Sequence, residues 1–230
     1  MRIRKNLPGS QISQNLYFTD REIERMCLEA LKGSGFLPET PQPIDIETFV
    51  EKHFKTRLDF STEPEKGVLG WTLFGPKAEI LMVGVSPALA DDTSEVGNRR
   101  CRATVAHEAG HCLMHPILFL EDKTGSLAEN LDFQNRRILC RKEDFKGVYD
   151  GRWWEVQANK AIGEFLLPKK LVRQAVAEFL APHGSLGVET LPAEKREAAC
   201  RHLAEVFDVN PAPARIRLAT MYPDSEEEFL

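Results

Sequence analysis

The chain has 230 residues, of which 42% are hydrophobic and 28% are charged, proportions typical of a globular protein with a sizeable core. Its net charge of −5 argues against sequence-independent binding of nucleic acid, which needs a basic surface. No apolar run approaches the ~18 residues of a membrane helix and no apolar segment follows the basic N-terminus, so we expect neither a membrane anchor nor a signal peptide. Five scattered cysteines without a CxxC pair indicate free thiols in a reducing cytoplasm.

The N-terminal part of the chain is expected to contain a flexible arm followed by two helices. The arm covers residues 1–18, which are largely polar and include glycine and proline. Thr19 and Glu22 have the spacing of a capping box, in which each side chain accepts a hydrogen bond from the backbone of the other, so a helix is predicted to start there. After the Pro-rich linker 37–43, Asp45 can cap a second helix with an apolar stripe.

Three short segments then have the character of strands. They are rich in β-branched or aromatic residues and lie in residues 57–60, 68–74 and 78–85. Gly75 and Pro76 lie between the last two segments, where they favour a tight turn. The sequence therefore predicts a small antiparallel sheet.

A helix with the sequence CRATVAHEAGHCLM is predicted near the centre of the chain. It is expected to run from about residue 99 to residue 114, with Asn98 as its N-cap and Pro116 just beyond its end. The residues up to 150 that follow it show little periodicity and mixed charge. They are predicted to form a long loop, and loops of that length are often functional.

Within this helix, His107 and His111 are four residues apart, with Glu108 beside the first. Four residues make about 1.1 helical turns, so both imidazoles leave the same face of the helix. This is the geometry that two zinc ligands need, and Glu108 has the position of a general base for a zinc-bound water. The motif therefore predicts a Zn²⁺ site with two histidine ligands and Glu108 as the catalytic residue.

A catalytic zinc site needs a third protein ligand, which must come from another part of the chain. Glu155, in the sequence WWEVQANKAIGEFLLP, is favoured because a second helix there can fold back across the first. Asn159 is four residues further along the same face, where its amide can hydrogen-bond the outer nitrogen of a ligating histidine. Glu164 and Asp150 remain alternative ligands. His115 lies about 12 Å along the helix from the first histidine, so it is expected to be structural and to bond a backbone carbonyl.

Further helices complete the predicted architecture. They are expected in residues 153–167 and 169–180, within a metallopeptidase domain that covers residues 19–182. A helix–turn–helix-like segment is predicted over residues 190–222, and the acidic tail 223–230 is expected to be disordered. Three arginines give the segment a basic character, namely Arg201, Arg215 and Arg217. Contact with DNA is nevertheless less favoured, because the net charge is negative. Packing of the segment on the rest of the chain, or docking of a substrate protein, is preferred.

The two motifs together resemble the ImmA/IrrE family of zinc metallopeptidases. The similarity lies in NRRCRATVAHEAGHCLMH and WWEVQANKAIGEFLLP and spans roughly residues 40–180. The matching residues are Arg100, Arg102, Thr104, Ala106, His107, Glu108, Gly110, His111 and His115, then Glu155, Ala158, Asn159, Leu166, Leu167 and Pro168. Ala103 and residues 162–163 depart from the family pattern, and the loop 116–150 is longer than expected.

The resemblance implies a zincin-like α+β fold in which the two motif histidines and Glu155 bind zinc and Glu108 is the catalytic base. Members of the family cleave a transcriptional repressor, often of the helix-turn-helix type, in stress or mobile-element control, which implies a protein substrate encoded separately. Tyr149 and His183 are candidates to stabilise the oxyanion because they flank the second motif helix in sequence. The competing interpretation is a module of the same fold that docks a repressor or DNA without cutting it.

Overall fold

A computed structural model describes residues 2–4, 15–119, 136–141, 152–183 and 188–223 of the chain. This part of the chain is α+β, with eight α-helices and a small mixed sheet. None of its helices is both long and apolar enough to cross a lipid bilayer. Most of the predicted loop 116–150 and the acidic tail beyond residue 223 lie outside the described residues.

Helices and strands are numbered here in chain order. The helices are α1 (Asp20–Gly33), α2 (Ile46–Phe54), α3 (Pro87–Ala90), α4 (Glu95–Met114), α5 (Trp153–Leu166), α6 (Lys169–Ala175), α7 (Arg196–Phe207) and α8 (Pro211–Met221). The strands are β1 (Arg2–Arg4), β2 (Asn15–Tyr17), β3 (Leu58–Asp59), β4 (Val68–Phe74), β5 (Ile80–Val85), β6 (Arg137–Arg141), β7 (Ala181–His183) and β8 (Val188–Thr190). Short 3₁₀ turns occupy Pro116–Phe119, Ala177–Phe179 and Ala193–Lys195.

The first two helices begin at the predicted caps. The backbone N–H of Glu22 donates to the Thr19 hydroxyl at 3.3 Å, and the backbone N–H of Thr19 donates to the Glu22 carboxylate at 2.9 Å. This reciprocal pair is the capping box expected at the start of α1. Asp45 caps α2 by accepting a hydrogen bond from the Thr48 N–H at 3.1 Å.

The helix of the histidine motif begins one turn earlier than predicted. Its N-cap is Ser94 rather than Asn98, because the Ser94 hydroxyl accepts a hydrogen bond from the Gly97 N–H at 3.0 Å. Both residue types are good N-caps, and the earlier one adds a turn of hydrogen-bonded backbone. Helix α4 consequently has 20 residues, from Glu95 to Met114.

The central sheet is mixed, whereas a wholly antiparallel sheet was expected. Its strand order is β3-β5-β4-β6. Strands β4 and β5 form the predicted antiparallel hairpin, but β3 pairs with β5 in parallel. The reason is the position of β5 between β3 and β4. These two neighbours run in opposite directions, so β5 must be parallel to one of them, and that one is β3.

Strand β6 lies in the region predicted to be a loop and adds to the outer edge of β4 in antiparallel pairing. Two further ribbons have two strands each. Strands β1 and β2 pair within the predicted N-terminal arm, and β7 pairs with β8 after α6. The periodicity of β6 was missed because the strand has only five residues between stretches of mixed charge.

Helix α4 packs against the sheet on one side and against α5 on the other. One hydrophobic core joins the helices, and its fully buried members include Leu31 of α1, Val105 of α4, Phe165 of α5 and Phe207 of α7. The C-terminal helices therefore share the core of the preceding elements. A smaller cluster beside β6 contains Phe74, Leu118, Phe119, Ile138 and Trp154.

Helices α7 and α8 form a helix–turn–helix-like pair that is fastened to α5 by an ion pair. Two guanidinium nitrogens of Arg217 each lie 2.6 Å from a carboxylate oxygen of Glu164, and its Nε donates to the Leu167 carbonyl at 2.8 Å. Arg217 is thus buried, and Arg215 lies 3.4 Å from Glu197. Arg201 also pairs with Glu197, at 4.0 Å, so all three arginines noted in this segment are engaged within the chain itself.

Candidate metal centre

Small residues at the crossing of α4 and α5 bring the two motif helices together. A Cβ atom added to Gly110 would lie 2.9 Å from the Cβ of Ala161 and 3.1 Å from the Cα of Ala158. Only glycine permits this separation of the two backbones. The close approach allows side chains from facing turns of the two helices to meet at one point.

Three side chains meet at that point. The Nε2 atoms of His107 and His111 are 2.9 Å apart. Oε2 of Glu155 lies 3.0 Å from Nε2 of His107 and 3.5 Å from Nε2 of His111. Ligand atoms bound to a tetrahedral zinc ion at about 2.0 Å lie about 3.3 Å from one another. The three distances are close to that value, and all three side chains are buried.

Asn159 contacts the outer nitrogen of His107. Its Oδ1 lies 3.0 Å from Nδ1 of the imidazole, which is the contact expected from the spacing of Glu155 and Asn159 on one helical face. With the amide oxygen accepting, the proton of a neutral His107 resides on Nδ1 and the lone pair on Nε2. The inner nitrogen of His107 then presents its lone pair to the point where Glu155 and His111 meet it.

His115 extends the network, although not through the backbone carbonyl that was expected. Its Nε2 lies 3.1 Å from Oε1 of Gln157, and its Nδ1 lies 3.0 Å from Nδ1 of His111. Donation from Nε2 to the Gln157 oxygen leaves Nδ1 as an acceptor for His111. The inner nitrogen of His111 therefore also presents its lone pair, so both motif histidines are oriented as ligands by hydrogen bonds.

Burial and charge set the protonation of this group. Burial opposes ionisation of Glu155, but the imidazoles of His111 and His107 outweigh it and lower the pKa of the carboxyl below its usual value. Burial lowers the pKa of His111, and of His115 far more. Burial also opposes the charged form of His107, yet the adjacent Glu155 raises the pKa of this imidazole.

The donor set fits a divalent metal ion. Oε1 of Glu155 is buried and has no hydrogen-bond partner among the described residues, which is costly for a carboxylate unless a cation compensates it. Two imidazoles and one carboxylate are the protein ligands of one class of catalytic zinc site. His107, His111 and Glu155 are thus able to hold zinc.

Glu108 is held by the sheet. Its Oε2 accepts a hydrogen bond of 2.7 Å from the hydroxyl of Thr72 on β4, and both side chains are fully buried. Gly70 lies two residues earlier on the same strand, and a Cβ there would be only 2.7 Å from Oε1 of Glu108. Sequence reasoning identified neither β4 residue, because the contact depends on how the sheet packs against α4.

Cys140 on β6 lies beside the same cluster. One ligand atom from each of His107, Cys140 and Glu155 lies within 4.8 Å of the other two, and all three side chains are buried. The cysteine had been interpreted only as one of five free thiols, and a single cysteine in an aperiodic stretch gives no sequence signal of a ligand. The structure adds it to the candidate site.

The remaining candidates lie elsewhere or outside the described residues. Glu164, the alternative ligand on α5, faces Arg217 of α8 in the ion pair described above. Tyr149 and Asp150 lie outside the described residues. His183 lies on β7, where its backbone pairs with Val188 of β8.

Comparisons with known proteins do not assign the chain to a family. No family model matches it, and no curated protein gives a significant match. The function is therefore inferred from the geometry of the site.

Proposed function

We propose that the protein is a zinc-dependent endopeptidase that hydrolyses a peptide bond in a regulatory protein. The observation that carries this proposal is the convergence of His107, His111 and Glu155 on one buried point, with Glu108 on the same helix. The resemblance of both motifs to the ImmA/IrrE metallopeptidases supports it. The mixed sheet beside the motif helix is consistent with a zincin-like fold, which forms part of the proposal.

The roles of the residues follow from their positions. A zinc ion held by His107, His111 and Glu155 would supply a Lewis acid for the scissile carbonyl and lower the pKa of its bound water towards ~7. Glu108 would take the proton of that water and deliver it to the leaving amine. The hydrogen bond from Thr72 fixes the orientation of the Glu108 carboxylate for this transfer.

For the substrate we propose a transcriptional repressor of the helix-turn-helix type, encoded by a separate chain. This rests on the resemblance alone. A cytoplasmic location is also proposed from the resemblance, and it is supported by the five cysteines, which are all described and buried and form no disulfide. The alternative, a docking module that binds without cutting, has the same fold and differs in lacking catalysis.

Metal content and product formation test the proposal. Purified wild-type protein and Glu108→Gln should each contain one zinc ion per chain, whereas His111→Ala and Glu155→Ala should contain none. With unfolded casein as substrate and peptide products detected by mass spectrometry, Glu108→Gln should form products at least about 100-fold more slowly than wild type. This variant is the matched control, since it keeps the ligands and the shape of the side chain.

Two outcomes would contradict the proposal. Zinc absent from wild-type protein after zinc is added back would exclude a metal centre. Zinc bound as expected, with the same measurable rate of product formation by wild type and Glu108→Gln, would remove the catalytic role of Glu108.

A further inference from the structure

We infer that β6 keeps the metal centre closed, with the Cys140 thiolate as a fourth zinc ligand and the strand itself covering the edge where a peptide substrate would pair. The inference rests on the proposed zinc peptidase function and adds its regulation: the protein is latent until β6 is displaced. It is carried by the orientation of β6, the position of the sulfur and the place of the strand at the edge of the sheet, outside the main core.

The orientation of β6 follows from its pairing with β4. Cys140 lies opposite Gly70 and Ile138 lies opposite Thr72, so all four share one face of the sheet. That face is covered by α4, because Thr72 bonds Glu108 and a Cβ on Gly70 would meet the same carboxylate. The alternation of burial along β6 agrees, since Ile138 and Cys140 are its two buried residues.

The position of the sulfur suits a fourth ligand. Three protein ligands leave one position open in a tetrahedral zinc site, and thiolate is a preferred ligand at about 2.3 Å. A sulfur at that distance lies about 3.6 Å from the nitrogen ligands. The ligand atoms of Cys140, His107 and Glu155 already lie within 4.8 Å of one another, and metal binding would bring the sulfur closer to these atoms and to His111.

Thiolate binding has a simple proton balance. Cys140 gives its proton to solvent when its sulfur binds the metal, and it takes a proton back when the sulfur leaves. In the closed state no position remains for water, which the proposed hydrolysis consumes. Departure of the sulfur opens that position without any redox change.

Strand β6 also occupies the edge of β4. Extended peptides commonly bind by adding a strand to an exposed sheet edge. Strand β4 contacts Glu108 directly, and its two edges are taken by β5 and β6. A substrate can therefore pair with β4 beside the metal centre only after β6 has left.

Strand β6 lies outside the main core. It is held by its backbone pairing with β4 and by Ile138, which is buried in the small cluster with Phe74, Phe119 and Trp154. The ion pairs from Arg137 and Arg141 to Glu65, 3.8 and 3.0 Å long, lie at the surface. Displacement of this strand therefore does not require the main core to open.

Cobalt substitution tests the fourth ligand directly. Wild-type protein loaded with Co²⁺ alone should show a sulfur-to-cobalt charge-transfer band in the near ultraviolet. Cys140→Ala should lose that band but still bind one cobalt per chain. Cys27→Ala is the matched control, because Cys27 is equally buried but lies on α1, and it should keep the band. Cys140→Ser, closer in size, replaces the alanine variant if circular dichroism shows that the latter is unfolded.

Activity tests latency. With zinc bound, Cys140→Ala should cleave unfolded casein at least about tenfold faster than wild type, because loss of the zinc–sulfur bond raises the fraction of molecules in which β6 is displaced. The gain should disappear in the double variant with Glu108→Gln. A band that persists in Cys140→Ala, or unchanged casein cleavage, would overturn the inference.

The two proposals fail in different ways. Cobalt binding that is lost in His111→Ala but shows no sulfur band in wild type would overturn the closed site and leave the peptidase standing. Failure of wild-type protein to bind cobalt or zinc would overturn both.

Discussion

At the scale of single residues, the two motif histidines are oriented by different partners. His107 is held by one amide, Asn159, and His111 by a second imidazole that is itself held by Gln157. Asn159 could be predicted because it shares a helical face with Glu155. Gln157 could not, because its contact depends on the rotation of α5 against α4, which local sequence does not determine.

The series of hydrogen bonds from His111 through His115 to Gln157 leads to a prediction about metal affinity. His115→Ala removes the acceptor of the His111 Nδ1 proton, so the imidazole is no longer held in its ligating orientation and tautomer. We expect zinc affinity to fall about 10- to 100-fold, as for other outer hydrogen-bond partners of metal ligands. Competition with a chromophoric chelator measures it.

The control for this experiment is His53→Ala. His53 is partly exposed on α2, where it stacks on Phe49 with ring centroids 5.0 Å apart. Loss of that histidine should leave zinc affinity unchanged. Equal affinities for wild type and His115→Ala would show that the orientation of His111 does not depend on the network.

At the scale of elements, the caps of α1 and α2, the motif helices and the β4–β5 hairpin were predictable, whereas the remaining pairing across the sheet was not. The capping box of α1, the Asp45 cap and the motif helices depend on residues within one or two turns. The parallel pairing of β3 and the addition of β6 depend on residues far apart in sequence. Thr72 and Cys140 lie on such strands. Their positions beside Glu108 and the candidate metal ligands therefore became visible only with the tertiary structure.

The turn between α7 and α8 gives a prediction about acid stability. Asp208 lies 2.8 Å from Arg99 and 2.7 Å from Arg102, both on α4. Burial opposes its ionisation, but these arginines outweigh burial and lower the pKa of the Asp208 carboxyl. The stabilisation is thus present above the pKa of the unfolded chain and is lost as the pH falls through the lower folded pKa.

Asp208→Asn isolates this charge effect, because φ at this position is +50° and asparagine tolerates the left-handed region as well. The free energy of unfolding should fall by about 1 kcal/mol at pH 6, a small value because the side chain is partly exposed. The difference should shrink as the pH falls below the pKa of the unfolded carboxyl, as measured by urea unfolding across the pH range. A difference that stays constant with pH would mean that the ion pairs contribute nothing.

At the scale of the whole molecule, the proposed metal site joins elements that are distant in sequence. Ligands on α4 and α5 are drawn together, and the sheet contributes Thr72 and Cys140. Binding of metal to the folded state should therefore stabilise the entire chain. With free zinc at about 100 times the dissociation constant, the free energy of unfolding should rise by about 2.7 kcal/mol.

Thermal unfolding with zinc and with a chelator measures this stabilisation. His111→Ala is the control, since it should melt at the same temperature in both conditions. A melting temperature of wild-type protein that does not change on chelation would argue that His107 and Glu155 form a buried ion pair and no metal site.

The glycine at the helix crossing has a consequence for the size of the proposed metal site. Gly110 lets α4 and α5 approach closely, because a Cβ at this position would meet Ala158 and Ala161 of α5. If zinc is bound as proposed, this close approach of the two backbones sets how near the imidazoles and the carboxylate lie to one another. Their separations suit bonds of about 2.0 Å, whereas calcium takes 6–8 oxygen ligands at about 2.4 Å and is disfavoured by the two imidazole nitrogens as well. A residue that touches no ligand atom thus helps to set the size of the site.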